Sequence, residues 1–302
     1  MDWKSRRITT LLEAALFEDK VASDITTALT IDPALRATAT VVAKQPCVVA
    51  GIGCISALLT LYGNLKPCGR IEVVSHPEIF DGVRVRKGQA IAVIRANAAS
   101  ILSTERVILN LMQRMSGIAT LTNEYVRAVA PANSKAKSKT KIATKILDTR
   151  KTIPGLRTLD KYAVCCGGGL NHRLDLQDGI LIKNNHISLG GGLPAVLARA
   201  LARRHPGQIV QVEVRTPVEL EQAIAGGAES ILLDNMTPKE VAKALKLIRK
   251  GLPKATVEAS GSMSLKNVAD YAKTGVDFIS VGALTHSATA VDLSMRITAD
   301  RL

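Results

Sequence analysis

Aromatic side chains are scarce in this sequence. The chain has one Trp, four Tyr and three Phe among 302 residues, and none of them interleaves with a basic run. Lys and Arg outnumber Asp and Glu by 40 to 26, a formal charge of +14 that could attract nucleic acid. Without aromatic platforms on which bases stack, this charge is weak support for such a partner. We therefore expect no nucleic acid among the partners and keep a nucleic-acid-binding protein only as the non-enzymatic alternative.

The sequence also lacks CxxC pairs and long apolar runs. Its cysteines stand at positions 47, 54, 68, 165 and 166, a spacing that fits neither a zinc knuckle nor a disulfide framework. No apolar run approaches the roughly 20 residues that a membrane-spanning helix needs. The first 20 residues have the pattern of an amphipathic helix and not the apolar core of a signal peptide. We expect a cytoplasmic protein with reduced thiols and no membrane partner.

Two kinds of apolar pattern divide the chain. Up to about residue 100, alternating and helical stretches indicate a compact α+β unit. Residues 101–129 have helical spacing, which predicts two helices with Gly117 as a break. From residue 142 onward, six short apolar runs alternate with helical segments, a pattern typical of a parallel sheet. No GxGxxG motif opens a helix, so an α/β barrel is favoured over a dinucleotide-binding fold.

Each of the six apolar runs ends in a polar residue or a glycine. The carboxyl ends of parallel strands meet at one edge, where barrels and open α/β sheets bind their ligands. A single carboxylate there could be a helix cap, but six polar ends in phase predict one shared pocket. The ends are Asp148 with Arg150, Lys183, Glu213, Asp234, Glu258 with Ser260, and Gly282.

Cations concentrate in the stretch 147–186. Like charges repel one another in a partly desolvated cavity, so this many cations at one pocket require a ligand with several negative charges. An exposed basic face is the plain alternative, but here the cations alternate with apolar runs and a GGG segment. The members are Arg150, Lys151, Arg157, Lys161, His172, Arg173, Lys183 and His186.

The predicted pocket divides by charge. Five cations, Arg150, Lys151, His172, Arg173 and Lys183, offer donors suited to carboxylates. Glu213 and Asp234 offer hard oxygen ligands for Mg²⁺ or for ribose hydroxyls. The turns at 260–262 and 281–283 present backbone N–H groups of the kind that cradle phosphate after the last strands of a barrel. A phosphate, a magnesium ion and a polycarboxylate in one pocket describe a phosphoribosyl transfer.

At these residues the sequence resembles the quinolinate phosphoribosyltransferases. The motifs are SDITT at 23–27, STERVILNLMQRMSGIAT at 103–120, DTRKT at 148–152, GGGLNHR at 167–173, LIKNNH at 181–186, VEV at 212–214, LLDN at 232–235, EASG at 258–261 and SVGALTHS at 280–287. The resemblance implies phosphoribosyl transfer from phosphoribosyl pyrophosphate to quinolinate with decarboxylation, as in NAD biosynthesis. It implies an N-terminal α+β sandwich domain over 1–115 and an incomplete parallel α/β barrel of fewer than eight strands over 116–287. The tail 288–302 is a candidate to pack back on the first domain.

The resemblance also implies roles for individual residues. Quinolinate would contact Arg150, Lys151, His172, Arg173 and Lys183, together with Arg106 from the other subunit of a homodimer or of a higher assembly of dimers. The phosphoribosyl group would contact Glu213, Asp234, Ser260, Gly261, Ser262, Gly282 and His286. Lys183, Glu213 and Asp234 are the candidate catalytic residues, and Glu213 and Asp234 would hold Mg²⁺ directly or through water.

This sequence departs from the family at two places. Ser262 stands where glycine is usual, and the lysine-rich segment 133–141, which is typical of an exposed loop, is longer than usual. Two other enzymatic readings stay open. A lysine such as Lys183 at a strand end could form a Schiff base, as in aldolases. A neighbouring family associated with molybdenum transport shares the architecture, although the full TRKT and NHR motifs weaken that alternative.

Overall fold

The structure, a computed structural model, describes residues 1–135 and 143–300, which form two compact units. The first unit comprises Met1–Asn123, Ile153–Gly168 and the chain from Ala288 onward, and the second comprises Glu124–Thr152 and Gly169–Ser287.

This division differs from the predicted domains chiefly at Ile153–Gly168. The sequence pattern places this segment in the second domain, because it lies between two strands of the parallel sheet, but it packs in the first unit. The segment from Ala288 onward belongs to the first unit.

The elements up to the long central helix are mostly short. They are α1 (Arg6–Glu18), a 3₁₀ turn (Val21–Ser23), α2 (Ile25–Thr30), β1 (Arg36–Ala43), β2 (Cys47–Val48), α3 (Ile52–Leu65), β3 (Glu72–Val74), β4 (Arg84–Val85), β5 (Ala90–Asn97) and α4 (Ala98–Lys135).

From residue 143 onward, strands and helices alternate. They are β6 (Lys145–Leu147), α5 (Arg157–Cys166), β7 (Ile180–Ile182), α6 (Asn184–Leu189), α7 (Leu193–Arg203), β8 (Val210–Val214), α8 (Pro217–Ala225), β9 (Ser230–Asp234), α9 (Pro238–Gly251), β10 (Thr256–Ser260), α10 (Val268–Thr274), β11 (Phe278–Ser280), α11 (Ala283–His286) and β12 (Leu293–Ala299).

The first unit is built on an antiparallel sheet with the order β12-β1-β5-β3. Side chains of β1 alternate between the two faces, so that Ala37, Ala39 and Val41 are buried. Its two neighbours, β5 and β12, pair along its length, which brings the C-terminal strand into this sheet.

The second unit contains six parallel strands in the order β6-β11-β10-β9-β8-β7. The predicted parallel sheet of fewer than eight strands with intervening helices is therefore confirmed. Two of the helices, α8 and α9, begin with a Thr capping box followed by Pro, which stops each strand-to-helix turn at a defined residue. All the carboxyl ends of the strands face one edge of the sheet.

The long helix α4 corrects one prediction. It runs through Gly117 without a break, so the prediction of two helices is wrong. A Cβ atom at position 117 would lie 2.2 Å from the backbone oxygen of Thr289, so glycine serves a close approach of two chain segments there. The predicted lysine-rich loop at 133–141 begins within this helix, and residues 136–142 lie outside the described part. Among the described residues, no helix is both long and apolar enough to span a membrane.

A buried ion pair holds α5 in the first unit. The Arg114 guanidinium donates from Nε and Nη2 to the two carboxylate oxygens of Asp160, at 2.9 and 2.8 Å. Asp160 is fully buried and Arg114 is mostly buried. Burial raises the pKa of Asp160, and the bonds from Arg114 oppose that rise. Arg114 is therefore an internal residue, although its helical spacing alone suggests a surface arginine.

We expect Arg114→Met to lower the free energy of unfolding by about 3 kcal/mol, because it leaves the Asp160 carboxylate buried and unpaired. The loss should shrink at acid pH. A buried carboxyl with a raised pKa contributes stability below its unfolded pKa and loses it as the pH rises through the folded pKa. Urea unfolding at pH 7 and pH 5 measures both effects. The double variant Arg114→Met/Asp160→Leu should recover most of the loss, and a double variant as unstable as the single one would contradict the buried pairing.

Candidate active site

The carboxyl edge of the parallel sheet encloses a cavity of about 610 Å³. All of its lining residues belong to the second unit, and every strand of the sheet contributes or is followed by at least one. They are Thr149, Arg150, Lys151, His172, Arg173, Leu181, Lys183, Asn184, Asn185, Glu213, Arg215, Leu232, Asp234, Asn235, Glu258, Ser260 and Ser280.

The cavity brings together most of the predicted site residues. All five predicted carboxylate-binding cations of this unit line it, as do Glu213, Asp234 and Ser260. Gly261, Ser262, Gly282 and His286 are not among its lining residues, but they lie in the turns and the short helix that follow β10 and β11. Arg106 lies in α4 in the first unit with an exposed side chain. The roles of all these residues stay predictions.

The cationic side of the cavity contains two arginines that repel each other. The pKa of Arg173 is lowered from its usual value, first by burial and then by the charge of Arg150. The Arg150 Nε is buried and has no hydrogen-bond acceptor among the described residues. Arg173 is held by a 2.8 Å bond from Nη1 to the backbone oxygen of Gly179. A buried donor without an acceptor is costly, so this side of the cavity is suited to an anion that supplies acceptors.

The imidazole of His172 is oriented from inside the protein. Its Nδ1 accepts a 2.7 Å bond from the backbone N–H of Arg173, which places the ring proton on Nε2 in the neutral tautomer. That Nε2 lies 3.2 Å from Gln211 Oε1 and 3.5 Å from Glu258 Oε2. The backbone N–H of His172 donates to Asp148 at 2.8 Å. Both ring nitrogens therefore have protein partners, and a contact between His172 and a ligand carboxylate stays a prediction.

Two residues of this network were not predicted as site residues. The Nε2 of Gln211 donates to Glu258 Oε2 at 2.8 Å, while Glu258 Oε1 is buried with no partner among the described residues. Gln211 could have been found from the sequence, because it lies two residues before Glu213 on β8 and therefore on the same face of the strand. Glu258 is a polar residue inside an otherwise apolar run, which is the same signal.

The acidic side of the cavity is a carboxylate pair bridged by an arginine. Arg215 donates from Nη2 to Glu213 Oε1 and from Nε to Asp234 Oδ2, each at 3.0 Å. Asn235 also donates to Asp234 Oδ2, at 3.0 Å. Arg215 was missed in the sequence, although its position directly after β8 gives it the same strand-end signal as the predicted residues.

Glu213 and Asp234 fit a magnesium ion that brings ligands with it. No group of three or more His, Cys, Asp and Glu side chains in the described part of the chain could hold a metal ion. Mg²⁺ commonly uses one or two carboxylates and completes its octahedron with water and substrate phosphates. The donor set is therefore compatible with an ion delivered together with a polyphosphate.

The turn after β10 has a backbone that requires glycine. Gly261 has a φ of +102°, and a Cβ there would lie 2.2 Å from the Asn235 Oδ1 atom. The backbone N–H of Asn235 donates to the oxygen of Ser260 at 2.9 Å, so the turns after β9 and β10 are packed together. Ser262, which stands where glycine is usual, adopts a φ of 44° in the left-handed region. This turn thus accepts a serine at the cost of some backbone strain.

We expect Gly261→Ala to weaken the binding of phosphoribosyl pyrophosphate by at least about tenfold, because the new methyl group must displace Asn235 and the turn. Gly207→Ala is the matched control. Gly207 also has a positive φ, of +84°, but a Cβ there would meet no atom within 4 Å. Calorimetric titration of both variants separates the clash from the backbone strain. Equal affinity in Gly261→Ala and the wild type would show that this turn does not shape the phosphate site.

Comparison with known proteins shows where this arrangement occurs. The family model described as quinolinate phosphoribosyl transferase, C-terminal domain, matches residues 118–296, and that of the N-terminal domain matches residues 24–116. A nicotinate-nucleotide pyrophosphorylase [carboxylating] of Mycobacterium leprae is 41% identical over 285 residues, which cover 94% of this chain and 95% of the relative. A probable enzyme of the same name from Bacillus subtilis is 41% identical over 262 residues, 86% of this chain and 83% of the relative.

Solved structures give the same result. The crystal structure of NadC from Streptococcus pyogenes superposes with a TM-score of 0.88 at 33% identity and covers 100% of both chains. The nicotinate-nucleotide pyrophosphorylase from Francisella tularensis superposes with a TM-score of 0.84 at 36% identity, over 97% of this chain and 96% of the other.

Proposed function

The chain belongs to the quinolinate phosphoribosyltransferase family, and we propose that it transfers the phosphoribosyl group of phosphoribosyl pyrophosphate to quinolinate. Decarboxylation then yields nicotinate mononucleotide, pyrophosphate and CO₂. The observation that carries the proposal is the division of one cavity into a cationic side and a carboxylate side. The first suits a dicarboxylate and the second suits a ribose with its polyphosphate.

We propose that quinolinate binds on the cationic side. Arg150, Arg173 and Lys183 line this side and together offer more positive charge than one carboxylate would neutralise. The unmatched Nε of Arg150 and the lowered pKa of Arg173 support an anionic occupant. Lys183 is exposed, which disfavours the Schiff-base alternative, because a lysine of that kind is desolvated to lower its pKa.

We propose that phosphoribosyl pyrophosphate binds on the carboxylate side with Mg²⁺. Glu213 and Asp234 would hold the ion, directly or through water, and face the ribose. The chemistry that Mg²⁺ supplies when bound is neutralisation of the charge on the leaving pyrophosphate. The turns at 260–262 and 281–283 would receive the 5′-phosphate, with Gly282 next to the side chains of Lys151 and His286.

The reaction needs positioning more than acid–base chemistry. The pyridine nitrogen attacks C1 of the ribose while the C1–O bond to pyrophosphate breaks with its electron pair leaving on oxygen. The quaternised ring then loses the adjacent carboxylate as CO₂, and the electron pair left on carbon is stabilised by N⁺ until solvent supplies a proton. The protein holds two anions in line, and Glu213 and Asp234 stabilise the positive charge that develops on the ribose.

Incubation with quinolinate, phosphoribosyl pyrophosphate and Mg²⁺ should release CO₂ and nicotinate mononucleotide in equal amounts. Nicotinate should be a poorer substrate in kcat/KM by at least about a hundredfold, since it leaves cavity cations unpaired. Arg173→Ala and Lys183→Ala should abolish useful turnover with little change in Tm, because neither removes a core contact. Equal kcat/KM for the two acids, or near-wild-type turnover in either variant, would contradict the site assignment.

We propose further that the protein forms a homodimer with shared active sites, alone or within a larger assembly of dimers. Arg106 supports this proposal. It lies on α4 in the first unit with an exposed side chain, whereas every residue that lines the cavity belongs to the second unit. A twofold dimer can offer Arg106 of one chain to the cavity of its partner. A cytoplasmic location and the absence of a nucleic-acid partner stay predictions.

Mixing two inactive variants tests the shared site. Arg106→Ala and Lys183→Ala should each be inactive, and subunit exchange should restore one intact cavity in every heterodimer. Random exchange into closed twofold dimers should therefore return roughly a quarter of wild-type activity. Verified heterodimers that stay inactive would place Arg106 within its own chain's site or outside any site.

A further inference from the structure

Arg215 forms a bridge between the two carboxylates that are predicted to bind ribose and metal. Its guanidinium donates one hydrogen bond of 3.0 Å to Glu213 and one of 3.0 Å to Asp234. We propose that Arg215 is a positioning residue with two partners. In the free protein it is the counter-ion that keeps a lone divalent cation off the carboxylate pair, and in the complex it transfers its hydrogen bonds to the incoming polyphosphate. This inference rests on the proposed function for the identity of the polyphosphate.

The backbone at Arg215 is fixed, but its side chain is free to move. The N–H of Arg215 donates to Glu219 Oε2 at 2.7 Å, within the capping box that Thr216 and Glu219 form at the start of α8. The side chain of Arg215 is 47% exposed, whereas those of Glu213 and Asp234 are 10% and 12% exposed. The guanidinium is therefore the member of the trio that can leave without disturbing a strand.

Electrostatics decides what a lone cation meets at this site. Glu213 Oε1 and Asp234 Oδ2 already accept from the guanidinium, so a metal ion that uses them must displace it or lie a few ångströms from a like charge. Either route weakens metal binding, because desolvated charges at such distances interact strongly. A metal–polyphosphate complex meets neither penalty. Its phosphate oxygens offer the guanidinium new acceptors in the planar, bidentate geometry that arginine favours.

The consequence is that metal and polyphosphate bind together. Without Arg215, the carboxylate pair would carry two uncompensated negative charges and would attract a lone cation. With Arg215, the pair carries one net negative charge, and the missing ligands come with the phosphates. A purely structural tether would behave differently, because its removal would lower the Tm without raising the affinity for a metal ion.

The test is a titration of the intact protein with Mn²⁺ alone, followed by electron paramagnetic resonance. Arg215→Gln should bind Mn²⁺ at least about tenfold more tightly than the wild type, because a nearby positive charge is removed. The same variant should bind the Mn²⁺–pyrophosphate complex at least about tenfold more weakly, because a bidentate phosphate partner is lost. Adding Glu213→Gln to Arg215→Gln should cancel the gain in Mn²⁺ affinity.

Two further variants guard the interpretation. Arg204→Gln is the matched control, because Arg204 is a partly exposed arginine of the same unit that pairs with Glu229 outside the cavity. It should leave both affinities unchanged. Arg215→Lys keeps the charge but not the fork, so it should bind Mn²⁺ like the wild type and the pyrophosphate complex more weakly. If Arg215→Gln does not fold, Arg215→Lys decides, and unchanged affinity for the pyrophosphate complex overturns the proposal.

Failure of this inference can be told apart from failure of the proposed function. The titrations contain no quinolinate, so a protein that does not turn over quinolinate can still show the Mn²⁺ shift, which would preserve the counter-ion role. If turnover is present, Arg215→Gln should raise the KM for phosphoribosyl pyrophosphate and leave the KM for quinolinate within about twofold. A folded Arg215→Gln with wild-type affinity for Mn²⁺ alone overturns the proposal.

Discussion

Repulsion among like charges at the carboxyl edge of one parallel sheet is the constraint on which the site depends. Arg150 and Arg173 are close enough for the charge of one to lower the pKa of the other. Glu213 and Asp234 are likewise neighbours, and an arginine lies between them. The protein satisfies the carboxylates internally through Arg215 but leaves the cationic side without a matching anion. A dianionic ligand on the cationic side is the simplest way to remove that imbalance.

The sheet makes this arrangement possible because its strands are short and parallel. Strands of three to five residues, such as β7 and β8, end together and present the next side chain at the same edge. Capping boxes then start the following helices at fixed residues, so the side chain after each strand has a defined direction. Glycine at 261 lets the turn after β10 approach the Asn235 side chain closely. Local sequence features thus position each side of the cavity.

Much of the second unit could be predicted from the sequence, because apolar runs and polar strand ends are local signals. Gln211 and Arg215 carry the same signals but were overlooked, since neither belongs to the motifs that gave the resemblance. Other features depend on contacts between distant residues and have no local signal. The buried pair of Arg114 and Asp160, which places α5 in the first unit, is one example. The other is Gly117, whose neighbour in space is Thr289.

A crystal structure of the protein with quinolinate alone tests the division of the cavity most directly. Both carboxylates of the ligand should contact the side of Arg150, Arg173 and Lys183, with one of them accepting from the Arg150 Nε. The bridge from Arg215 to Glu213 and Asp234 should stay in place, because no polyphosphate is present to replace it. Quinolinate bound against the carboxylate pair, or outside the cavity, would contradict the division.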